Sequence, residues 1–520
     1  MQTVGVFPFS DYGVAVPLQG YGIHPASLLT RQLGVPLFEC DVADCTVPVF
    51  FTTQTAMSAV QAFLRRGGTV ITTDESSASD AIRKDTDCVL ELAGTRTMQF
   101  WTAKRGRGLL IIVPADALHA LHDYRRHWFA FGSPGAEAIA PCCPTRKGEL
   151  HRYWRHVLRA AFAHHGLPLV HAWYFPGVAR THCALRVDAD WYDQTQWDDT
   201  LRVTETFGSA ASWYLTTKTV QGDARACVDR VRERGSEVGS HGHVHHTFWD
   251  EENNVANMRL ADAELRALGI EPTSFVSPSA KWNTGVQRAV EQLGYAMSSE
   301  FSYSWDCYPV SPIIDGRASS ALQVPVHPVS PGNFLKHGVR DGSVIAEYVR
   351  RTARHLYDEC LPMHLYGHPS DIPVVGSAVL SEVANWPDTH RSSLRDYAAW
   401  WSWRRPGSLQ LRREEDAVLL VRNGAQADVR LAVSWDERAF FLTDATTVRL
   451  TSWPGQIDGA IRVEMTRHDP PYARPTGRRV GLRSRIGEWL DYESSLPSRH
   501  HVIHDVRTAI NGVVKRLRGL

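Results

Sequence analysis

No apolar stretch of this sequence comes near the ~20 uninterrupted residues that a bilayer-spanning helix needs. The first 13 residues contain no Lys or Arg, and Asp11 interrupts their apolar positions, so we do not expect a secretory signal there. Charges balance, with 56 Lys and Arg against 56 Asp and Glu, so the basic excess of a general nucleic-acid binder is missing. We therefore expect a globular protein that binds no nucleic acid.

Cysteine is present without the pattern of a disulfide framework. The nine cysteines are an odd number at irregular spacing, and the adjacent Cys142 and Cys143 could pair only with strain. The sequence also lacks internal repeats and any GxGxxG or Walker A pattern. These features predict reduced thiols and a cytoplasmic protein.

The 520 residues, 43% hydrophobic and 22% charged, suit about three globular domains. In residues 1–150, apolar runs at 47–51 and 109–113 and the β-branched segment 69–72 alternate with a helical pattern at 56–65. Fully apolar strands that alternate with helices predict a parallel sheet covered on both faces.

The segment FLRRGGTVITTD, at 63–74, resembles the flavodoxin-like domains related to class I glutamine amidotransferases. The resemblance implies a flavodoxin-like α/β domain. Since no glycine-flanked nucleophilic cysteine accompanies the segment, we do not expect amidotransferase chemistry. Ligand binding and a structural or docking role both stay open for this domain, and we favour the second.

Residues 151–520 fall into four segments that differ in their sequence pattern. A helix and linker at 151–180 lead to a strand–helix alternation over 181–404. Period-two segments then predict a small antiparallel β-sandwich at 405–467. The tail 468–520 carries ten Lys and Arg against five Asp and Glu and ends in a predicted amphipathic helix at about 502–517. Such a helix either packs on its own protein, which we favour, or contacts an anionic membrane surface peripherally.

Three apolar runs end in residues suited to chemistry. The first is ALRVDAD at 184–190, where Asp188 and Asp190 at i and i+2 point to the same side of an extended strand. Two carboxylates this close repel each other unless a cation lies between them or one is protonated. Taken alone, the pair is also compatible with a strand end that caps the next turn.

The second is EVGSHGHVHH at 237–246, with four histidines in its last six residues. His241 and His245 are at i and i+4, so on a helix both imidazoles would face one metal ion, and we expect His243 and His246 to point elsewhere. One carboxylate and two histidines leave open positions on a metal, as hydrolytic sites require.

The third run is PMHLYGHP at 362–369, which ends in His368 and a proline. A histidine at the edge of a sheet suits general acid catalysis near neutral pH. A lone His-Pro pair would be uninformative. We treat His368 as a candidate catalytic residue because the two other motifs accompany it.

Together these motifs resemble the polysaccharide deacetylase family, the NodB-like carbohydrate esterases, over about residues 181–400. The resemblance implies a central deformed (β/α) barrel in an α/β protein and metal-assisted removal of an N-acetyl group. It implies Asp188 as the general base and His368 as the general acid. It also implies one divalent metal, with zinc expected and cobalt or nickel as substitutes. The implied metal ligands are Asp190, His241 and His245.

The sequence departs from the family pattern at two points. Gly242 stands where the family usually has Ser or Thr after the first histidine, and Val276 stands where it has the arginine that braces the base. Lys281 or Arg186 are the candidates to replace that arginine. Trp305 and Asp306 lie where the family has an aromatic-acidic motif. We therefore predict that Trp305, Asp306 and Lys281 line the substrate pocket.

Three functional hypotheses remain at this point. The first is a metal-dependent deacetylase acting on an N-acetylated sugar or surface-glycan precursor. The second is an amide hydrolase with a non-sugar substrate. The third is a catalytically inactive carbohydrate-binding or assembly protein, which the missing arginine favours and the intact Asp-Asp-His-His set disfavours.

Overall fold

The computed structural model describes most of the chain up to residue 475. The described residues are 9–18, 24–90, 97–220, 224–403, 409–413, 418–422, 428–436, 438–450, 457, 460–467 and 474–475. In this part of the chain, no helix combines the length and low polarity that crossing a bilayer requires.

A seven-stranded sheet forms the N-terminal part. Its strands are β1 (Val14–Val16), β2 (Leu37–Glu39), β3 (Val49–Thr52), β4 (Thr69–Thr72), β5 (Ile82–Val89), β6 (Thr97–Arg105) and β7 (Gly108–Ile112). The order is β2-β1-β3-β4-β7-β6-β5, in which β1 to β4 and β7 run parallel and β5 and β6 are antiparallel. The helices are α1 (Pro25–Leu33), α2 (Ser58–Arg65), α3 (Ala115–His119) and α4 (Lys147–His164).

Side chains on both faces of this sheet are buried. On β3, Val49 and Phe51 belong to one core cluster and Phe50 to another, because successive strand residues point to opposite faces. This is the arrangement that the continuous apolar runs predict. The parallel order β2-β1-β3-β4-β7 is also that of doubly wound sheets.

Three strands lie between the seven-stranded sheet and the central part of the chain. Strands β8 (His127–Ser133) and β9 (Ala136–Cys142) form an antiparallel hairpin. Strand β10 (Leu169–Ala172) lies within the predicted linker and is fully buried.

The central part is a curled, parallel half-barrel sheet of the (β/α) barrel type. The strands of this region are β11 (Thr181–Ala189), β12 (Ala211–Leu215), β13 (Glu237–Ser240), β14 (Ser274–Phe275), β15 (Met297–Ser298), β16 (Ile313–Ile314), β17 (Arg317–Ala318), β18 (Leu322–Gln323), β19 (Met363–Gly367) and β20 (Thr389–Arg391). The sheet order is β18-β15-β14-β13-β12-β11-β19 with β20 beside β11, while β16 and β17 form a separate hairpin. The backbone N–H of His327 donates to the carbonyl of His364 at 2.9 Å, so the segment after β18 reaches β19.

Eight helices accompany the central strands in the described chain. They are α5 (Gln194–Val203), α6 (Ala224–Glu233), α7 (Glu251–Ala267), α8 (Thr284–Gln292), α9 (Pro331–Lys336), α10 (Gly342–Asp358), α11 (Ser377–Ala384) and α12 (Leu394–Trp403). Because all strands of the main sheet are parallel, their carboxyl ends lie at one edge, where the site described below is found.

Two antiparallel sheets follow. Their strands, and a last short one, are β21 (Leu409–Arg413), β22 (Val418–Arg422), β23 (Leu431–Ser434), β24 (Ala439–Thr443), β25 (Thr447–Leu450), β26 (Ile461–Glu464) and β27 (Arg474–Pro475). The sheets have the orders β21-β22-β25 and β10-β23-β24-β26, and β27 pairs with β8. Strand β10 of the predicted linker is thus part of a C-terminal sheet. A sandwich packing of the two sheets stays a prediction, and the predicted helix at 502–517 lies outside the described residues.

The half-barrel holds a buried histidine pair that makes stability depend on pH. Nδ1 of His182 on β11 lies 2.8 Å from Nε2 of His364 on β19, and Nδ1 of His364 lies 2.9 Å from the Pro325 carbonyl oxygen. Burial lowers the pKa of His364 to about 4 and lowers that of His182 as well. Between pH 6.5 and 4 the unfolded chain therefore binds protons that the native chain does not, and stability falls as the pH falls.

We expect each such histidine to add up to about 1.4 kcal/mol per pH unit to that loss. Urea unfolding at several pH values between 4.5 and 6.5 measures the slope for the parent and for His364→Gln. The variant should show a shallower slope over this range. Equal slopes would show that His364 does not contribute.

Candidate active site

The carboxylate of Asp188 is held by an arginine two residues earlier on β11. Nε and Nη2 of Arg186 donate to its two oxygens at 2.7 and 2.6 Å, and Nη1 donates to the carbonyl of Ser299 at 2.9 Å. Burial would raise the pKa of Asp188, but the guanidinium outweighs burial and keeps this pKa below its usual value. Arg186 is thus placed as the brace that Val276 cannot provide.

Asp190 lies at the carboxyl end of β11 and faces two histidines. Its Oδ1 is 3.3 Å from Nε2 of His241 and 3.3 Å from Nε2 of His245. Burial opposes ionisation, yet the nearby histidines hold the pKa of Asp190 well below its usual range. Among the described residues, neither Oδ1 of Asp190 nor Nε2 of His241 has a hydrogen-bond partner of good geometry, although both are buried.

The two histidines converge through a loop, so the shared face that their i, i+4 spacing would give on a helix is not what brings them together. Gly242 has a φ of +83°, and a Cβ there would lie 2.7 Å from Nδ2 of Asn257. Asn257 holds the loop, accepting from the N–H of Val244 at 2.8 Å and donating to its carbonyl at 3.2 Å. A Ser or Thr at position 242 would be both strained and crowded, which accounts for the glycine.

A backbone carbonyl sets the tautomer of His241. Nδ1 of His241 lies 2.7 Å from the Val276 carbonyl oxygen, which can only accept, so Nδ1 carries the proton. In the neutral imidazole, Nε2 is then the nitrogen with the free lone pair, and it faces Asp190, as a metal-binding imidazole requires. His243 contacts Glu264 at 3.0 Å, and the ring of His246 packs against Phe248.

These residues fit a divalent metal ion. Ligand atoms of Asp190, His241 and His245 all lie within 4.8 Å of one another, and the His245 side chain is 34% exposed, so solvent reaches the cluster. One carboxylate with two imidazoles suits a first-row transition ion more than calcium or magnesium.

A second grouping, which sequence reasoning did not find, fits a cation less well. Asp87, Cys88 and His156 also bring ligand atoms within 4.8 Å of one another. However, Asp87 forms an ion pair with Arg467, and burial raises the pKa of the Cys88 thiol to about 11. A guanidinium beside the carboxylate and a protonated thiol both oppose metal binding.

His368 completes the site at the end of β19. Its Nε2 is 3.8 Å from Oδ2 of Asp190, and its Nδ1 is 2.8 Å from Oδ2 of Asp371. Burial alone would lower the pKa of His368, but Asp371 and Asp190 outweigh burial and raise this pKa to about 9. The imidazole is therefore protonated at neutral pH, and its Nε2–H faces the site. The sequence analysis did not identify Asp371. The one sequence feature that could have pointed to it is its position three residues after His368, within reach of that imidazole.

The structure brings together Asp188, Asp190, His241, His245 and His368, but not all of the predicted pocket residues. Nε1 of Trp305 donates to the Cys143 carbonyl at 3.1 Å, and Oδ1 of Asp306 accepts from the N–H of Gly148 at 3.3 Å. Both side chains are buried against the N-terminal part. Their contacts therefore do not support the predicted substrate role, and they anchor this junction instead.

Lys281 follows β14 in the loop that begins with Val276, and its side chain is half-buried. The carbonyl of Val276 holds His241, so the loop borders the site. A contact between Lys281 and substrate stays a prediction.

We expect the effects of Arg186 and Asp188 on stability to be strongly coupled. Both side chains are almost fully buried, and each balances the charge of the other. Arg186→Met leaves a buried carboxylate unpaired and should lower the free energy of unfolding by about 3–5 kcal/mol. The double variant Arg186→Met/Asp188→Asn removes that charge and should be more stable than Arg186→Met alone. Urea unfolding of all four proteins gives the coupling energy, and strictly additive effects would contradict this pairing.

Comparison with known proteins assigns the region that contains most of this site. Residues 178–298 match the family model "Polysaccharide deacetylase", so this region is a polysaccharide deacetylase domain and the resemblance is confirmed there. The match includes Asp188, Asp190, His241 and His245. No curated protein sequence matches the chain.

Solved structures are similar to just under half of the chain. A putative polysaccharide deacetylase from Mycobacterium smegmatis has 15% identity and a TM-score of 0.40, covering 47% of this chain and 98% of its own. A probable polysaccharide deacetylase from Pseudomonas aeruginosa PAO1 has 15% identity and a TM-score of 0.37, covering 44% and 93%. Puue allantoinase has 15% identity and a TM-score of 0.37, covering 44% and 92%.

Proposed function

We propose that this chain, which contains a polysaccharide deacetylase domain, is a metal-dependent hydrolase that removes an N-acetyl group from a sugar or a surface-glycan precursor. The observation that carries the proposal is the convergence of Asp188, Asp190, His241, His245 and His368 at one edge of the half-barrel. We propose Asp190, His241 and His245 as the ligands of one divalent metal. Zinc is the expected ion, with cobalt or nickel as substitutes.

The side chains divide the chemistry of amide hydrolysis among themselves. A metal ion held by Asp190, His241 and His245 would polarise the acetyl carbonyl and lower the pKa of a water molecule. Asp188, kept ionised by Arg186, accepts the proton of the attacking water. His368, oriented by Asp371 and protonated at neutral pH, donates a proton to the amine nitrogen as the C–N bond breaks. The products are acetate and a free amino sugar.

The site and the family match bear differently on the two other hypotheses. The intact set of acid, base and metal ligands, together with the Arg186 brace, supports an active enzyme over an inactive binding protein. The site itself does not select a sugar over another amide; the family match of residues 178–298 supports the carbohydrate.

Acetate release tests the proposed function. The zinc-loaded full chain is incubated with an N-acetylglucosamine hexamer, an acetyl-lysine peptide and a small cyclic amide, with hydrolysis of each followed separately. We expect acetate from the hexamer, and the Asp188→Asn protein as a control should release almost none. Hydrolysis of only a non-sugar amide would favour the second hypothesis, and glycan binding without turnover would favour the third.

For the rest of the chain, we propose a flavodoxin-like α/β domain at 1–150 and a small β-sandwich at 405–467. The parallel strand order of the N-terminal sheet and the two antiparallel C-terminal sheets support these assignments. A cytoplasmic location stays a proposal, and for the tail 468–520 we favour packing on its own protein over weak contact with a membrane surface.

A further inference from the structure

Glu300 is a buried carboxylic acid near the Arg186–Asp188 pair that the proposed mechanism leaves unused. It lies two residues after the end of β15, and its side chain is 0% exposed. Oγ of Ser298 donates to its Oε2 at 2.9 Å, whereas its Oε1 has no hydrogen-bond partner of good geometry among the described residues. A buried carboxylate with an oxygen left unsatisfied is costly, so such a group favours its neutral form.

Glu300 is connected to Asp188 through Arg186. Nη1 of Arg186 donates to the carbonyl of Ser299, the residue before Glu300, at 2.9 Å, while its Nε and Nη2 bind both oxygens of Asp188. The carboxyl group of Glu300 is also close enough to act on this guanidinium, because its negative charge would raise the pKa of Arg186. In the described part of the chain, one guanidinium is thus within electrostatic reach of two carboxyl groups and hydrogen-bonds only that of Asp188.

These contacts decide which of the two carboxyl groups is charged. Two buried carboxylates beside one guanidinium would leave a net negative charge away from water, which is unfavourable. Asp188 accepts two short bonds from Arg186 and therefore keeps its charge. Burial raises the pKa of Glu300 to about 8, although Ser298 and Arg186 oppose this rise. Glu300 is therefore neutral at neutral pH and leaves the charge of Arg186 to Asp188.

The neighbouring strands hold Glu300 in place with groups that carry no charge. Nε2 of Gln323, on β18, donates to the Glu300 carbonyl at 2.5 Å, and the backbone N–H of Ser277, after β14, lies near enough to the carboxyl group to influence its pKa. On β19, the ring centroid of Tyr366 lies 5.3 Å from Cζ of Arg186, and burial raises the pKa of Tyr366, so this hydroxyl also stays neutral. Arg186 is therefore the charge to which Glu300 responds.

We propose that Glu300 is a positioning residue for the base: as a neutral acid it holds the Ser299 carbonyl against Arg186 and leaves the whole guanidinium charge to Asp188. The inference rests on the proposed function, in which Asp188 accepts the proton of the attacking water, and adds a residue that acts on Asp188 only through Arg186. An ionised Glu300 would compete with Asp188 for the guanidinium, because opposite charges attract strongly in a buried site. The hold on the base should therefore weaken as Glu300 loses its proton.

The pH dependence of acetate release tests this role in the zinc-loaded full chain, with the N-acetylglucosamine hexamer as substrate. Glu300→Ala should lower kcat at pH 7 about tenfold with KM nearly unchanged, because Asp188 is no longer held in position. Glu300→Gln keeps the shape of the neutral acid and should restore most of kcat at pH 7. The alkaline midpoint of kcat, near pH 8 in the parent, should move to higher pH in Glu300→Gln, which has no proton to lose there. Asp262→Asn removes another buried carboxyl group with a raised pKa, on α7, and should not move the midpoint.

Infrared spectroscopy gives a readout that does not depend on turnover. The difference spectrum between the parent and Glu300→Gln should contain the C=O stretch of a protonated carboxyl group at pH 7, and this band should fade with a midpoint near pH 8. A deacetylating parent without this band, or an alkaline midpoint that is the same in Glu300→Gln, would overturn the role of Glu300 and leave the proposed function intact. A folded, zinc-loaded parent that shows the band but deacetylates no N-acetylated sugar would overturn the proposed function and the positioning role together.

Discussion

Asp188→Asn should keep its metal and lose turnover by a factor of about 10²–10⁴, the range expected when a general base is removed. Asp188 makes its short contacts with Arg186 and not with the histidine cluster, so the metal-binding atoms stay in place. An asparagine has the same shape, but it cannot accept the proton of the attacking water. The measurement pairs kcat for acetate release with metal content of the same sample.

The matched control is Asp190→Asn, two residues along the same strand. It should lose metal as well as turnover, because Oδ1 of Asp190 lies 3.3 Å from both histidines. If Asp188→Asn loses the metal and Asp190→Asn retains it, the two aspartates have the opposite roles.

His241→Ala should reduce bound metal to a small fraction of one equivalent. The side chain is 1% exposed, its Nε2 has no hydrogen-bond partner of good geometry among the described residues, and its tautomer is set by Val276. Loss of a ligand from a three-residue set leaves one imidazole and one carboxylate, too few for tight binding. Metal content after dialysis against a weak chelator provides the readout.

His243→Ala is the control for this prediction, since His243 faces Glu264 and Thr217. It should retain one equivalent of metal. Full metal stoichiometry in correctly folded His241→Ala, with circular dichroism matching the parent, would remove His241 from the ligand set.

The main outline of the site could be predicted because its residues follow apolar runs. In a parallel sheet all carboxyl ends share an edge, so Asp188, His241 and His368 could be expected at the same edge once each run was assigned to a strand. The same reasoning could not choose between Arg186 and Lys281 as the brace. That choice depends on whether a side chain two residues away on the same strand can turn towards Asp188.

Other features depend on contacts that no local pattern contains. The i, i+4 spacing of His241 and His245 suggested a helix, whereas the left-handed conformation of Gly242 makes a loop. Trp305 and Asp306 match a family motif by position, but the N-terminal part covers them. Strand β10 joins a C-terminal sheet through pairing with β23, more than 250 residues away along the chain.

Metal-dependent acetate release tests the central claim most directly. Metal-free full chain is titrated with zinc, and the initial rate of acetate release from the N-acetylglucosamine hexamer is recorded at each ratio. The rate should rise in proportion to zinc and level off at one equivalent, while the His241→Ala protein stays inactive throughout. Acetate release at full rate from the metal-free protein, or none from a protein with one zinc bound at this site, would contradict the account.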